Sequence, residues 1–157
     1  MPTNHATITI HGTAAPGGSK TGFAIPGGGV RMTPANKKTK PWMTNVAVQA
    51  ASQWTGVPID RGYYVVVDVT FFLPRPAGHH TSTGKRAKGW KRYHTTKPDV
   101  TKLWRSTEDA LSGIVWADDS MVSDPSLHKR YADAHGPMAV IEVEWFDNSR
   151  DYDKEGE

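Results

Sequence analysis

The chain has 157 residues, a formal net charge of +3 and no cysteine. This length is enough for one domain with a substantial core. The lack of cysteine excludes a disulfide framework, and because paired histidines at ligand spacing are also lacking, a zinc site is not expected. We find no signal peptide and no long apolar run, so the sequence predicts a cytoplasmic protein that does not enter a membrane.

Charge is distributed unevenly along the chain. Residues 1–59 contain no Asp or Glu, and the stretch 75–97 contains seven basic residues and no acid. Six acids lie from Glu144 onward, opposed only by Arg150 and Lys154. A basic body followed by an acidic tail is typical of proteins that bind polyanions. We expect one domain over residues 1–146 and an acidic, disordered tail over 147–157.

The first half of the chain predicts a strand, an irregular segment and a helix. Residues 6–11 alternate as a strand with Ala6, Ile8 and Ile10 on one face. Residues 13–29 are too rich in Gly and Pro for regular structure, although a hairpin ending near residues 30–32 fits the pattern. Residues 40–54 predict a helix ended by Gly56. Its expected buried residues are Trp42, Val46, Ala47, Ala50 and Trp54.

The second half predicts two further strands and a second helix. Residues 63–73 carry apolar side chains on both faces, which indicates a central strand covered on both sides. Asp68 lies inside this strand, and we leave open a structural, a water-facing and a metal-binding role for it. After a long loop over 74–96, a helix runs from near Thr101 to Gly113. A closing strand is expected over 139–146, with Ile141, Val143 and Trp145 inward.

Aspartates lie on both sides of the second helix. Asp99 precedes it, and Asp118 and Asp119 follow the apolar run 114–116, which predicts a buried strand or strand-like turn. Oxygen ligands gathered from two elements suit Mg²⁺ or Mn²⁺. A helix N-terminus near Thr101 also favours phosphate groups. The alternatives are that Asp99 or Thr101 caps the helix and that Asp118 and Asp119 form an ordinary turn.

The same helix is expected to expose a charged stripe of Lys102, Arg105 and Asp109, directed at solvent or a ligand. An ordinary i,i+4 pair of Arg105 with Asp109 is the alternative. The side facing the core is formed by Leu103, Thr107, Ala110, Leu111 and Ile114.

The loop 74–96 interleaves basic residues with Trp90, Tyr93 and His94. Lys and Arg neutralise phosphates, and aromatic rings can stack on exposed bases, so the loop predicts a nucleic-acid contact. A merely solvated loop is the alternative. The residues that we predict to contact DNA are Lys20, Lys85, Arg86, Lys88, Lys91, Arg92, Lys97 and Lys102.

Several residues at fixed offsets resemble the signature of the RusA-like Holliday-junction resolvases, which are crossover-junction endodeoxyribonucleases often carried by phages. That signature reads KPD-x-D-N-L-x-K-x-x-x-D-A-L-x-G-x-x-x-x-D-D-x-Q-[IV]. The matching positions here are Lys97-Pro98-Asp99, Leu103, Arg105 at the lysine position, Asp109-Ala110-Leu111, Gly113, Asp118-Asp119 and Val122. Weaker similarity over 16–20 and 72–76 extends the resemblance to most of residues 5–146.

The resemblance implies an α/β (α+β) fold with a small mixed sheet and two main helices. It also implies symmetric nicking of four-way DNA junctions by a homodimer, in the bacterial host cytoplasm if the gene is phage-borne. In this interpretation Mg²⁺, with Mn²⁺ as a possible substitute, is held by Asp99, Asp118, Asp119 and Thr101, and Arg105 binds the scissile phosphate.

Two positions depart from the signature. Thr101 replaces the second aspartate, and Met121 replaces the glutamine near the end. A threonine hydroxyl can ligate Mg²⁺ but adds no negative charge. One alternative is therefore a branched-DNA-binding protein with weak or no catalysis. A second is a basic structural or RNA-binding domain whose acids only cap and turn.

Overall fold

The computed structural model describes residues 4–18, 20–34 and 36–149. In this part of the chain six strands and two α-helices form a single α+β domain. Two short 3₁₀ helices, Ala77–His79 and Asp119–Met121, lie in the connections. The main elements are β1 His5–His11, β2 Lys20–Ala24, β3 Val30–Pro34, α1 Thr39–Gln53, β4 Tyr63–Leu73, α2 Val100–Leu111, β5 Val122–Tyr131 and β6 Met138–Asp147.

Four strands form one mixed sheet in the order β1-β6-β4-β5. β6 is antiparallel to both of its neighbours, with Ile141 opposite Ile8 of β1 and opposite Val69 of β4. β5 is parallel to β4 and forms an edge of the sheet. β2 and β3 pair separately as the hairpin that the Gly-rich segment allowed. The predicted small mixed sheet with two helices is thus confirmed.

Both helices pack on the same face of the sheet. Alternate residues of β4, among them Val67, Val69 and Phe71, are buried beneath them. The helix faces agree with the prediction, since Trp42 and Val46 of α1 and Leu103 of α2 are buried. Trp42 Nε1 donates a hydrogen bond to Thr107 Oγ1 at 3.1 Å, which joins the two helices inside the core.

The other face of the four-stranded sheet is uncovered in the protomer. The Asp68 side chain is 60% exposed on this face, 3.5 Å from Nε2 of His128. The prediction that β4 is covered on both faces is therefore wrong for the single chain, because both helices lie on one side. Asp68 is a water-facing residue with a histidine neighbour.

β5 was not predicted from the sequence. It reads VSDPSLHKRY and is largely exposed, so it lacks the apolar alternation that marks a strand. Backbone hydrogen bonds to β4 hold β5 in the sheet, and the side-chain pattern gives no sign of this pairing. At the end of the chain, β6 extends to Asp147, and residues 150–157 of the predicted acidic tail lie outside the described part. Within the described residues, no helix is long and apolar enough to span a membrane.

Candidate active site at the two ends of helix α2

A cavity of about 530 Å³ opens at the N-terminus of α2. The loop 13–16 forms one wall, and the segment 97–99 forms another. Lys38, Lys97 and Lys102 line it together with Asp99. Three lysines and one aspartate on the same cavity give it a positive balance, which suits a phosphate group beside the helix terminus. We call this cavity the lysine cleft.

The wall of the lysine cleft depends on two consecutive glycines. The backbone N–H of Gly17 donates to the carbonyl of Lys102 at 2.8 Å. Gly18 has a φ of +88°, and a Cβ placed there would clash with the guanidinium of Arg105. Ser106 Oγ donates to the carbonyl of Ala15 at 2.6 Å and fastens the same loop to α2. The Pro-Gly-Gly turn therefore brings the chain into direct contact with the helix.

Asp99 occupies the N-cap position of α2, but its side chain makes no capping hydrogen bond. The carboxylate is 61% exposed and lies 3.8 Å from Lys102 Nζ. The backbone before it is held by Lys129, whose Nζ donates to the carbonyls of Thr96 at 2.6 Å and Pro98 at 2.9 Å. The capping interpretation is not supported, and the Asp99 carboxylate remains available to a ligand. Thr101 is exposed in the first turn of the helix.

The opposite end of α2 carries a second group of carboxylates. α2 ends at Leu111, and Gly113, with a φ of +86°, begins the turn that leads to them. Residues 114–116 form the strand-like turn that the sequence predicted, with Trp116 fully buried. Asp118 then accepts hydrogen bonds from the backbone N–H of Ser120, at 3.1 Å, and from its hydroxyl. These bonds lower the pKa of Asp118, and Asp119 beside it is exposed.

Glu108 joins this second group and was missed by the sequence analysis. It is half-buried on α2, and burial raises its pKa to about 7, with further contributions from the negative charges of Asp119 and Asp109. Glu108 lies in the C-terminal half of α2, the end that leads to Asp119. The available signal was the position of Glu108 next to the core face of α2, where a carboxylate is partly desolvated.

The two groups of carboxylates do not meet within one protomer. α2 has 12 residues and is about 18 Å long. After α2 the chain turns back and β5 runs alongside the helix. Lys129, near the end of β5, contacts Pro98 just before the start of α2, whereas Asp119 lies just before the start of β5. Among the described residues, no group of three or more His, Cys, Asp or Glu side chains is arranged to hold a metal ion.

The predicted four-ligand site of Asp99, Thr101, Asp118 and Asp119 is therefore not formed by a single chain. The sequence placed these residues within a short stretch, but the helix between them separates Asp99 and Thr101 from Asp118 and Asp119. Each end of α2 presents carboxylates in one protomer, and the magnesium ion stays a prediction.

The charged stripe on α2 is formed as predicted. Lys102, Arg105 and Asp109 are all exposed. Arg105 lies between the two ends of the helix, in contact with Gly18, and its charge acts against the raised pKa of Glu108. A cation in this position can bind an anionic ligand that extends along α2.

The loop 74–96 is folded around Arg75, which the sequence analysis did not single out. The Arg75 side chain is 5% exposed and forms a double hydrogen bond with Asp133, Nε to Oδ1 at 2.6 Å and Nη2 to Oδ2 at 2.8 Å. This bond raises the pKa of Arg75 and lowers that of Asp133. The guanidinium also donates to the carbonyl of Lys91 and lies 4.0 Å from the ring centre of Tyr131. The loop is therefore anchored to the domain by Arg75, and its contact with nucleic acid stays a prediction.

The predicted DNA-contacting residues are distributed between the loop and the lysine cleft. Lys97 and Lys102 line the cleft. Arg86 is engaged within the loop, with its guanidinium 3.9 Å from the centre of the Trp90 ring. The side chain of Lys20 lies outside the described part of the structure. The remaining four residues are exposed on the loop, namely Lys85, Lys88, Lys91 and Arg92.

These features define a basic α+β domain with a lysine-lined cleft and carboxylates at both ends of one exposed helix, a combination suited to acting on a polyanion backbone. A family model described as endodeoxyribonuclease RusA matches residues 16–144. The chain is also 34% identical over 129 residues to the uncharacterized protein YqaN of Bacillus subtilis (strain 168), covering 80% of this chain and 87% of that protein. The chain belongs to the RusA endodeoxyribonuclease family.

Proposed function

We propose that this protein is a structure-specific endodeoxyribonuclease that resolves four-way DNA junctions by paired phosphodiester cleavage. The proposal is supported by the family membership and, above all, by the lysine cleft at the N-terminus of α2, which is lined by Lys38, Lys97 and Lys102 together with Asp99. Ammonium groups beside a helix N-terminus can bind the DNA backbone, and the exposed carboxylate of Asp99 would then lie next to the bound phosphate. We further propose a cytoplasmic location, where the DNA substrate is found.

The proposed cofactor is Mg²⁺, with Mn²⁺ as a substitute. Carboxylate oxygens are the ligands that both ions prefer. Because α2 separates Asp99 from Asp119 in one protomer, we propose that the protein acts as a homodimer in which each metal site combines the Asp99 end of one α2 with the Asp119 end of the other. A twofold axis then produces two equivalent sites, and paired cuts of a four-way junction need two sites.

A cleavage assay tests the catalytic part of the proposal. The purified protein is incubated with a labelled four-way junction and Mg²⁺ or Mn²⁺, beside Asp99→Asn, Asp119→Asn and the control Asp68→Asn. Asp68 is exposed on the open face of the sheet, the side away from α2. Each of the first two changes should lower the cleavage rate by at least about a hundredfold while the junction still binds, and the control should cleave normally.

Mixing the two inactive variants tests whether a site is shared. In a mixed dimer with shared sites, one site carries both substitutions and the other carries neither. The mixture should then nick the junction in one strand without resolving it. If sites lie within single subunits, the mixture stays inactive and the shared-site proposal fails.

A second candidate function is a branched-DNA-binding protein that cleaves weakly or not at all. It is favoured by Thr101, which presents a neutral side chain where the family signature has an aspartate. Junction binding without cleavage in either metal would select this function over the first.

A further inference from the structure

The rings of Trp90, Tyr93 and His94 in the loop 74–96 differ in how far they are available to a ligand. Trp90 is half-buried, with the guanidinium of Arg86 at 3.9 Å and that of Arg75 at 4.5 Å from its ring centre. His94 is half-buried, and its ring centre is 4.8 Å from that of Tyr131. Tyr93 is 52% exposed. Of these three rings, Tyr93 therefore offers the largest open surface.

Two arginines lie over the Tyr93 ring at the long end of the cation–π range. The guanidinium carbons of Arg92 and Arg130 lie 5.6 Å and 5.4 Å from the centre of the Tyr93 ring. Both distances exceed the 4.0 Å of the tight stack of Arg75 on Tyr131. Both arginines are exposed, and Arg130 donates a hydrogen bond to the carbonyl of Lys129. The arrangement thus places a half-exposed aromatic ring beside two exposed cations.

Hydrogen bonds hold the backbone before and after Tyr93 in place. Arg75 donates to the carbonyl of Lys91, and this arginine is itself held by Asp133 of the opposite loop. Lys129 donates to the carbonyl of Thr96 on the other side of Tyr93. Because these contacts order the chain before any ligand arrives, a ligand that stacks on Tyr93 costs little additional backbone entropy.

We propose that Tyr93, with Arg92 and Arg130, forms a stacking site for an unpaired DNA base and its flanking phosphates. An exposed ring stacks on any base, and the two guanidinium groups beside it can bind the flanking phosphates. The stretch 75–97 around Tyr93 contains no acid that would repel the backbone. This inference rests on the proposed function, because unpaired or unstacked bases occur at the branch point of a junction.

The test uses the full chain and a four-way junction in which 2-aminopurine replaces a base at the branch point. The fluorescence of this base reports its stacking, and titration gives the dissociation constant. Tyr93→Ala is compared with Tyr93→Phe, which keeps the ring, and with Val57→Ala, which shortens another exposed apolar side chain, 84% exposed and outside the loop. Thermal melting checks that each variant is folded.

Tyr93→Ala should weaken junction binding about ten- to hundredfold and abolish the fluorescence change, while Tyr93→Phe and Val57→Ala stay within about twofold of the wild type. For Arg92→Ala and Arg130→Ala, the salt dependence of binding should fall by about 0.7 to 0.9 each, whereas Tyr93→Ala leaves it unchanged. Affinity for fully paired duplex should be insensitive to Tyr93.

The proposal is overturned if Tyr93→Ala binds the junction and alters the fluorescence as the wild type does. That result leaves the proposed function intact. If the wild type does not prefer the junction to duplex, the proposed function fails instead, and the same variants are titrated against single-stranded DNA carrying 2-aminopurine. Equal affinities of wild type and Tyr93→Ala for this strand then also reject the stacking site.

Discussion

Glu108 gives the structure a pH dependence that can be measured without a substrate. Its pKa is about 7 in the folded chain, against an ordinary value of 4.5, first because of burial and then because of the charge of Asp119. Between these two pH values the folded state keeps a proton that the unfolded state has released. Folding stability from this group is therefore highest below about pH 4.5 and is lost as the pH rises to about 7.

The size of the effect follows from the interval between the two pKa values. At about 1.4 kcal/mol per pH unit, the interval would correspond to about 3 kcal/mol for a fully buried group. Glu108 is half-buried, and solvent screening reduces this to about 1 kcal/mol. Glu108→Gln removes the charge and keeps the shape, so it should raise the free energy of unfolding by about 1 kcal/mol at pH 8 and leave it unchanged at pH 4.

Urea denaturation of wild type and Glu108→Gln at pH 4, 6 and 8 measures this difference. Comparing the two proteins at each pH removes the contributions of the histidines and other carboxylates, which are common to both. Glu144→Gln makes the same chemical change on β6, outside α2, and as the matched control it should bring no comparable gain in stability at pH 8. If the difference in the free energy of unfolding between Glu108→Gln and wild type is the same at all three pH values, the assigned environment of Glu108 is refuted.

Three further predictions concern the loop and the cleft. Arg75→Met should accelerate backbone hydrogen exchange across residues 77–96 while leaving β4 protected, because the variant lacks the ion pair with Asp133 and the stacking on Tyr131; unchanged exchange would show that Arg75 does not hold the loop. Lys129→Met should lower kcat at least about tenfold with little change in KM, because without Lys129 the backbone before Asp99 is no longer held. Steady-state kinetics on junction DNA measures both constants, and an unchanged kcat would reject this role. Replacing Lys85 and Lys88 with alanine should flatten the salt dependence of junction binding by up to about 0.9 for each phosphate that is no longer bound, and an unchanged slope would remove them from the DNA interface.

Much of the fold could be predicted from side-chain periodicity. α1, α2, β1, β4 and β6 agree with the predicted elements within a few residues. β5 could not be predicted in this way, because an exposed edge strand containing Pro125 is defined by its backbone pairing with β4. The open face of β4 was misjudged for a related reason. Apolar residues on both faces of a strand indicate burial, but only the arrangement of the helices decides which face is covered.

The sequence predicted which residues belong to the candidate site, but it did not predict how those residues are arranged in space. Asp99, Arg105 and Asp119 could be selected because charged residues recurred at fixed offsets around a helix. The distance between them could not be predicted. Closeness in sequence suggested closeness in space, but the length of the helix keeps its two ends apart. Arg75 and Lys129 were missed because their importance comes from contacts with Asp133 and Pro98, which are distant in sequence.

The separation of the two ends of α2 changes how the neutral residue at position 101, Thr101, is interpreted. If each metal site combined all its ligands in one chain, a neutral residue at position 101 would leave a site short of charge. With α2 separating the two ends, the charge at a shared site would also include the carboxylates near Asp119, and here Glu108 is one of them. Burial is the main cause of the raised pKa of Glu108, and the negative charges of Asp119 and Asp109 add to it, so a cation bound at that end of the helix would stabilise several carboxylates. A shared site would therefore be compatible with cleavage although residue 101 is neutral.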